Sequence, residues 1–145
     1  MSTVSKVLQK KSGEVLSVAP DSNVFSAIEK MAEIAAGTAL VMKGEQLVGI
    51  LSERDFIRKI YLEEICGEST TVAEVMSINV LTVTPKDELE RCMEIMTDER
   101  IRHLPVLEKN KVVGIISIGD IVKHMADAKA AEIKNLQNYI TGPGL

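Results

Sequence analysis

"GILSERD" at residues 49–55 and "GIISIGD" at residues 114–120 are one phrase written twice, 65 residues apart. The same offset holds, without a gap, well outside the phrase. Val15, Leu16, Val18 and Pro20 fall on Val80, Leu81, Val83 and Pro85. Glu29 and Met31 fall on Glu94 and Met96, Val41 on Val106, and Val48-Gly49-Ile50 on Val113-Gly114-Ile115. Agreement over so many positions marks an internal duplication. A period of this length, present only twice, is longer than a solenoid unit and predicts two small subdomains packed face to face.

Each copy carries the same order of elements. "VLSVAP" and "VLTVTP" are short extended runs halted by Pro20 and Pro85, and proline is tolerated in the first turn of a helix. Thr84 with Asp87 three residues on adds a capping pair, so helices are predicted over roughly 22–35 and 87–99. Their apolar faces are Val24, Ile28, Met31 and Ile34 in the first copy and Leu89, Cys92, Met93 and Met96 in the second, at helical spacing. "TALVMKGEQLVGILS" and "HLPVLEKNKVVGIIS" each place two apolar strands around a polar turn, Lys43-Gly44-Glu45 and Glu108-Lys109-Asn110, the pattern of a hairpin. A second helix starts at Glu53 and at Ile118. The fold class is therefore α/β (α+β): two β-α-β-β-α subdomains related by pseudo-twofold symmetry. A small sheet covered by helices on one face needs cover on the other, and a second copy supplies it.

The boundaries that follow are 1–66 for the first copy with its N-terminal segment, 67–127 for the second, and 128–145 for a C-terminal helical extension, together forming one domain. In the extension Ile133, Leu136 and Ile140 make a stripe before Thr141-Gly142-Pro143 stops the helix. The stripe either docks on its own domain or meets a second copy. His124 is expected on the surface, and Met31, Met42, Met93 and Met96 in packing roles.

Composition limits the function. With 145 residues, 46% of them hydrophobic and 26% charged, the chain can bury a core. Seventeen basic against 21 acidic residues leave a net charge of −4, which disfavours general attraction to nucleic acid or anionic lipid. Any phosphate site must be local. Cys66 and Cys92 have no metal or disulfide spacing and read as free thiols of a reducing compartment. No apolar run approaches the roughly 20 residues of a membrane span, and "MSTVSKVLQKKSG" holds no signal-peptide pattern. A soluble, cytoplasmic protein is expected.

The repeated phrase ends a strand and opens a helix. Ser52 and Ser117 stand where an N-cap belongs, with Asp55 and Asp120 three residues later, and the structural reading is a capping box. The same geometry has a second use. Free N–H groups at a helix start bind phosphate, and a carboxylate beside them accepts the two hydroxyls of a ribose.

These residues, together with "RIRHLPVLEKNKVVG" at 100–114 and the two prolines, resemble the tandem cystathionine-β-synthase domain pair, the Bateman module. The resemblance covers roughly residues 4 to 126. It implies two packed subdomains, a homodimer shaped as a flat disk, and clefts between the copies for AMP, ADP, ATP, S-adenosylmethionine or NAD(H). Carried over residue by residue, it implies that Asp55 and Asp120 hold ribose hydroxyls and that Ser52 and Ser117 contact ribose or phosphate. Arg102 and His103 would face the phosphate in the Asp120 cleft. Backbone near Gly13–Val15 and Met76–Ile78 would read the adenine edge, which makes Val15 and Ile78 the picks there. The positions equivalent to Arg102 and His103 are the uncharged Gly37 and Thr38, so the first cleft must draw phosphate contacts from elsewhere; Arg54, Arg58 and Lys59 are candidates. Two inequivalent sites are expected.

The resulting expectation is a stand-alone regulatory module that senses an adenine nucleotide, AMP, ADP, ATP or NAD(H), and answers by a change in dimer packing toward an effector protein that the sequence does not identify. The alternatives are a structural dimerisation module without a physiological nucleotide, or an S-adenosylmethionine sensor. Catalysis is not expected, and neither is a catalytic cofactor or a metal. The chain has no nucleophile–base arrangement, no H-E-x-x-H, no phosphate loop and no G-x-G-x-x-G. Only two Tyr and two Phe, with no basic stripe, weigh against single-strand nucleic-acid binding.

Overall fold

The computed structural model describes residues 2–11, 15–63 and 67–140. Gly13, Cys66 and the stop signal Thr141-Gly142-Pro143 lie outside them. The first copy runs β1 (Ser17–Val18), α2 (Val24–Glu33), β2 (Thr38–Lys43), β3 (Gln46–Ser52) and α3 (Glu53–Phe56). The second runs α5 (Leu89–Glu99), β4 (His103–Glu108), β5 (Lys111–Ser117) and α6 (Ile118–Ile140). Two further helices, α1 (Val4–Lys10) and α4 (Val72–Val75), precede the copies.

The duplication extends to backbone detail. β2 and β3 pair antiparallel from Thr38 opposite Ser52, and the register slips between Val41 and Met42. β4 and β5 pair from His103 opposite Ser117 and slip between Val106 and Leu107, the equivalent place. An extra residue at a bulge sharpens the local twist, and here both hairpins are bent alike. β1 runs parallel to β2. Its counterpart in the second copy shrinks to a single parallel bridge, Val83 to Val106, so the second sheet has two strands where three were expected. The cores match position by position: Val24, Ala27, Met31, Val41 and Leu51 in one, and Leu89, Cys92, Met96, Val106 and Ile116 in the other.

Four expectations need correction. The helices α2 and α5 begin later than predicted, because the prolines are not in their first turns. The Pro20 carbonyl accepts the N–H of Ala73 at 2.8 Å, and that of Pro85 accepts the N–H of Ser5 at 2.9 Å. Asn23, not the proline, caps α2 with its side-chain oxygen on the N–H groups of Phe25 and Ser26. Thr84 and Asp87 do bond, N–H to carboxylate at 2.7 Å, but they close the turn ahead of α5. Ile34 follows α2 and is exposed, while Ala27 takes the core position. Finally, His124 is part-buried, its Nε2 3.0 Å from the Ser2 hydroxyl, and its buried Nδ1 has no hydrogen-bond partner among the described residues.

The unforeseen α1 and α4 explain how the copies are joined. α1 leads into the first copy but buries Val4 and Val7 in the core of the second, and α4 buries Val72 and Val75 in the core of the first. Each lends its neighbour an apolar face, and separation of the copies would expose both. After Phe56 the helix widens into a π-helical run, Ile57–Leu62. At the other end α6 spans 23 residues, roughly 34 Å. Its only fully buried residue is Ile121. Ile133, Leu136 and Ile140 are 48%, 56% and 68% exposed, so the stripe does not dock on its own domain.

Candidate ligand-binding site

Each repeated phrase folds as a strand end running straight into a helix start. In the first copy the Asp55 N–H donates to the Ser52 hydroxyl oxygen at 3.0 Å, while the Ser52 N–H and hydroxyl both donate to Asp55 Oδ2, at 3.1 and 2.9 Å. In the second the Asp120 N–H donates to Ser117 Oγ at 3.1 Å and the Ser117 N–H to Asp120 Oδ2 at 2.9 Å. Both are reciprocal caps. The motif glycines allow a close approach: a Cβ on Gly49 would lie 2.5 Å from Met76 Sδ and 3.0 Å from the Ser77 carbonyl oxygen, and one on Gly114 3.0 Å from a Leu8 methyl. Both motifs are thus pressed against segments arriving from α4 and α1.

Thr38 and His103, equivalent residues at the starts of β2 and β4, meet each other. The Thr38 hydroxyl lies 3.0 Å from His103 Nδ1, and Thr38 is buried. Next to them the Gly37 and Arg102 carbonyls accept the N–H groups of Glu53 and Ile118, at 3.1 and 2.9 Å, tying each strand start to its helix start. The Arg102 side chain is exposed. Burial, then the charge of Lys11, pushes the His103 pKa down; Asp120 opposes this and Arg102 adds to it. The shift favours the neutral imidazole, which offers a hydrogen bond rather than a full charge.

Lys11 is the residue that sequence reasoning missed. Its ammonium donates to Asp120 Oδ2 and to the Ile115 carbonyl, both at 2.8 Å. Burial alone would raise the Asp120 pKa, but Lys11 and the Ser117 N–H and hydroxyl together hold it below its ordinary value. Beside the pair a hollow of about 280 Å³ is lined by Val7, Lys10, Lys11, Asp120, Lys123, His124 and Asp127. Lys11 is the C-cap of α1, as Met76 is of α4, and Met76 packs against the first core. The Asp55 motif therefore meets a thioether where Asp120 meets a cation. A signal for Lys11 existed in Val4, Val7 and Leu8, whose spacing marks a helix ending at Lys10-Lys11.

The other candidates are more scattered. The Arg54 guanidinium donates to the Arg100 carbonyl at 3.2 Å, where the chain leaves α5 through a left-handed residue of φ 55°. Lys59 stands 3.6 Å from Glu63 in an exposed pair on the π-helical run. Val15 is half-buried just ahead of β1. Ile78 is 70% exposed, one residue past Ser77, whose backbone bonds that of Ile50 in both directions. A larger hollow of about 570 Å³ along α5 is lined by Glu88, Glu90, Glu94, Asp98, Arg91 paired with Glu94, and two neighbours. No residue of either motif borders it, and its net acidic lining disfavours phosphate. Among the described residues no group of three or more His, Cys, Asp or Glu is placed to hold a metal ion, and no helix is long and apolar enough to cross a membrane.

The CBS-domain family model matches residues 4–62 and 72–127. The chain is 37% identical over 149 residues to the CBS domain-containing protein CBSX3, mitochondrial, of Arabidopsis thaliana, covering 97% of this chain and 72% of that one. The crystal structure of the CBS domain NE2398 superposes with a TM-score of 0.81 at 47% identity, over 86% of this chain and 98% of that one. The CBS pair of MJ0100, in complex with 5′-methylthioadenosine and S-adenosyl-L-methionine, shares the fold with a TM-score of 0.75 at 19% identity, over 88% and 98% of the two chains.

Proposed function

The chain belongs to the CBS-domain family, as a tandem pair, and on that premise we propose that it is a regulatory module binding an adenine nucleotide, AMP, ADP, ATP or NAD(H), at its paired helix starts. The observation that carries the reading is the Asp120 motif. There a carboxylate whose pKa its surroundings hold below the ordinary value stands at the start of α6, with Arg102, His103 and Lys11 close by, so groups suited to ribose and to phosphate converge. The MJ0100 pair gives adenosine compounds a precedent on this fold.

In this reading Asp120 and Ser117 take ribose and phosphate, and neutral His103 with exposed Arg102 takes the phosphate edge. Asp55 and Ser52 form the second, inequivalent site. Arg54 and Lys59 serve there only if they leave Arg100 and Glu63. Thr38, shared through His103, links the two clefts. Val15 flanks the adenine of the Asp120 site and Ile78 that of the Asp55 site. A second copy of the chain is the proposed partner, and occupancy alters packing only to the extent that ligand binds one arrangement better than the other. A cytoplasmic location is proposed with it, consistent with a buried free thiol at Cys92.

A thermal-melt panel with AMP, ATP, NADH and S-adenosylmethionine tests the reading. A ligand at a hundred times its Kd adds about 2.7 kcal/mol and shifts Tm by on the order of 8 °C for a domain of this size. A shift of that order from one nucleotide, with a changed sedimentation coefficient, supports the module. An unmoved melt across the panel leaves a structural dimerisation unit as the function.

A further inference from the structure

We propose that Lys11 makes the Asp120 cleft selective for phosphate-bearing nucleotides against uncharged or cationic adenosine compounds. The inference rests on the nucleotide reading above and deepens it. The Lys11 ammonium is bonded to Asp120 Oδ2 and to the neighbouring Ile115 carbonyl, so a ribose whose two hydroxyls take both carboxylate oxygens competes with it for Oδ2. A ligand that takes both oxygens of Asp120 must displace it. The lysine stem is flexible, so the ammonium swings aside without backbone movement, but it leaves a part-buried ion pair whose side chains are 30% and 24% exposed.

The two classes of ligand then differ in what they return. A nucleoside without phosphate satisfies Asp120 with hydroxyls and leaves the ammonium unpaired. A nucleotide satisfies Asp120 and offers the displaced ammonium a phosphate, a charge-assisted contact. Lys10 and Lys123 line the same hollow against Asp127, so the displaced cation stays among basic neighbours until an anion joins it. A cationic ligand such as S-adenosylmethionine is disfavoured further, since it brings positive charge to that cluster. Met76, standing where Lys11 stands, imposes no such condition on the Asp55 motif. Specificity arises from the cost of the wrong ligand as much as from attraction to the right one.

The test is calorimetric titration of nucleotide-free protein with AMP and with adenosine, in wild type, Lys11→Met, Lys11→Arg and Asp120→Ala. Wild type is expected to favour AMP by about tenfold or more, as one charge-assisted contact provides. Lys11→Met is expected to bind adenosine more tightly than wild type does and AMP more weakly, bringing the ratio to within about threefold, while Lys11→Arg keeps the wild-type preference. A ratio unmoved by Lys11→Met, with AMP binding still lost in Asp120→Ala, overturns the role of Lys11 and leaves the site standing. Flat wild-type titrations with both ligands overturn the site and the inference together.

Discussion

Asp120 serves the fold and the proposed ligand through one carboxylate, and acid separates the two roles. Its pKa lies below the ordinary 3.8, so the folded protein holds that proton less tightly than the unfolded chain does. The stabilisation is complete above the ordinary value and is lost as pH falls through the folded-state value. In urea melts, wild type should exceed Asp120→Asn in stability at pH 7, and the gap should narrow as pH falls below the ordinary 3.8; a gap that stays constant through acid would mean that the charge on Asp120 contributes nothing. The motif glycines make a second expectation. Gly49→Ala should cost about 1–3 kcal/mol by overpacking, because the backbone oxygen of Ser77 is as near as 3.0 Å. Gly114→Ala should cost less, since only the flexible end of Leu8 stands in the way. Equal losses by denaturant titration would contradict that ordering. Ser52, Asp55, Ser117 and Asp120 were legible in the sequence because a cap joins residues three apart. Lys11 was not, because it meets Asp120 across 109 positions, a distance that no local period spans.

At the scale of elements, the hairpins and the helix starts at Glu53 and Ile118 followed from alternation and turn chemistry, and the structure has them at those residues. The helices after Pro20 and Pro85 were placed too early because a proline signals only that φ is fixed, not which chain uses its carbonyl. Here α4 and α1 use it; α4, a single turn, is too short to announce itself by periodicity, and α1 shows no more than Val4, Val7 and Leu8. The long α6 carries the remaining expectation. Leu136 belongs to neither core and is 56% exposed. Leu136→Asp should therefore leave the melting temperature of dilute protein within about 2 °C of wild type while lowering the dimer fraction in sedimentation equilibrium. An unchanged dimer fraction would place the contact elsewhere on the molecule.

At the scale of the molecule, the duplication settles the architecture and its small departures make the two motifs unlike. Thr38 faces His103, Met76 stands for Lys11, and Gly37 stands for Arg102, so a nearly twofold frame holds two unlike helix starts. The frame was readable because equivalent core positions must all be filled with apolar residues. The unlikeness was readable only in part, because the charges that create it come from elements brought together by the crossing of α1. The most direct test of the proposed function is the affinity of AMP for nucleotide-free wild type and for Asp120→Ala, measured by calorimetry beside the ligand-free melting temperature of each. The expected result is saturable binding weakened about tenfold or more by the substitution, with a melting-temperature loss of only a few degrees, as a lost cap costs about 1 kcal/mol. Equal affinity in the two proteins, or no binding to either, would contradict it and leave Asp120 a helix cap alone.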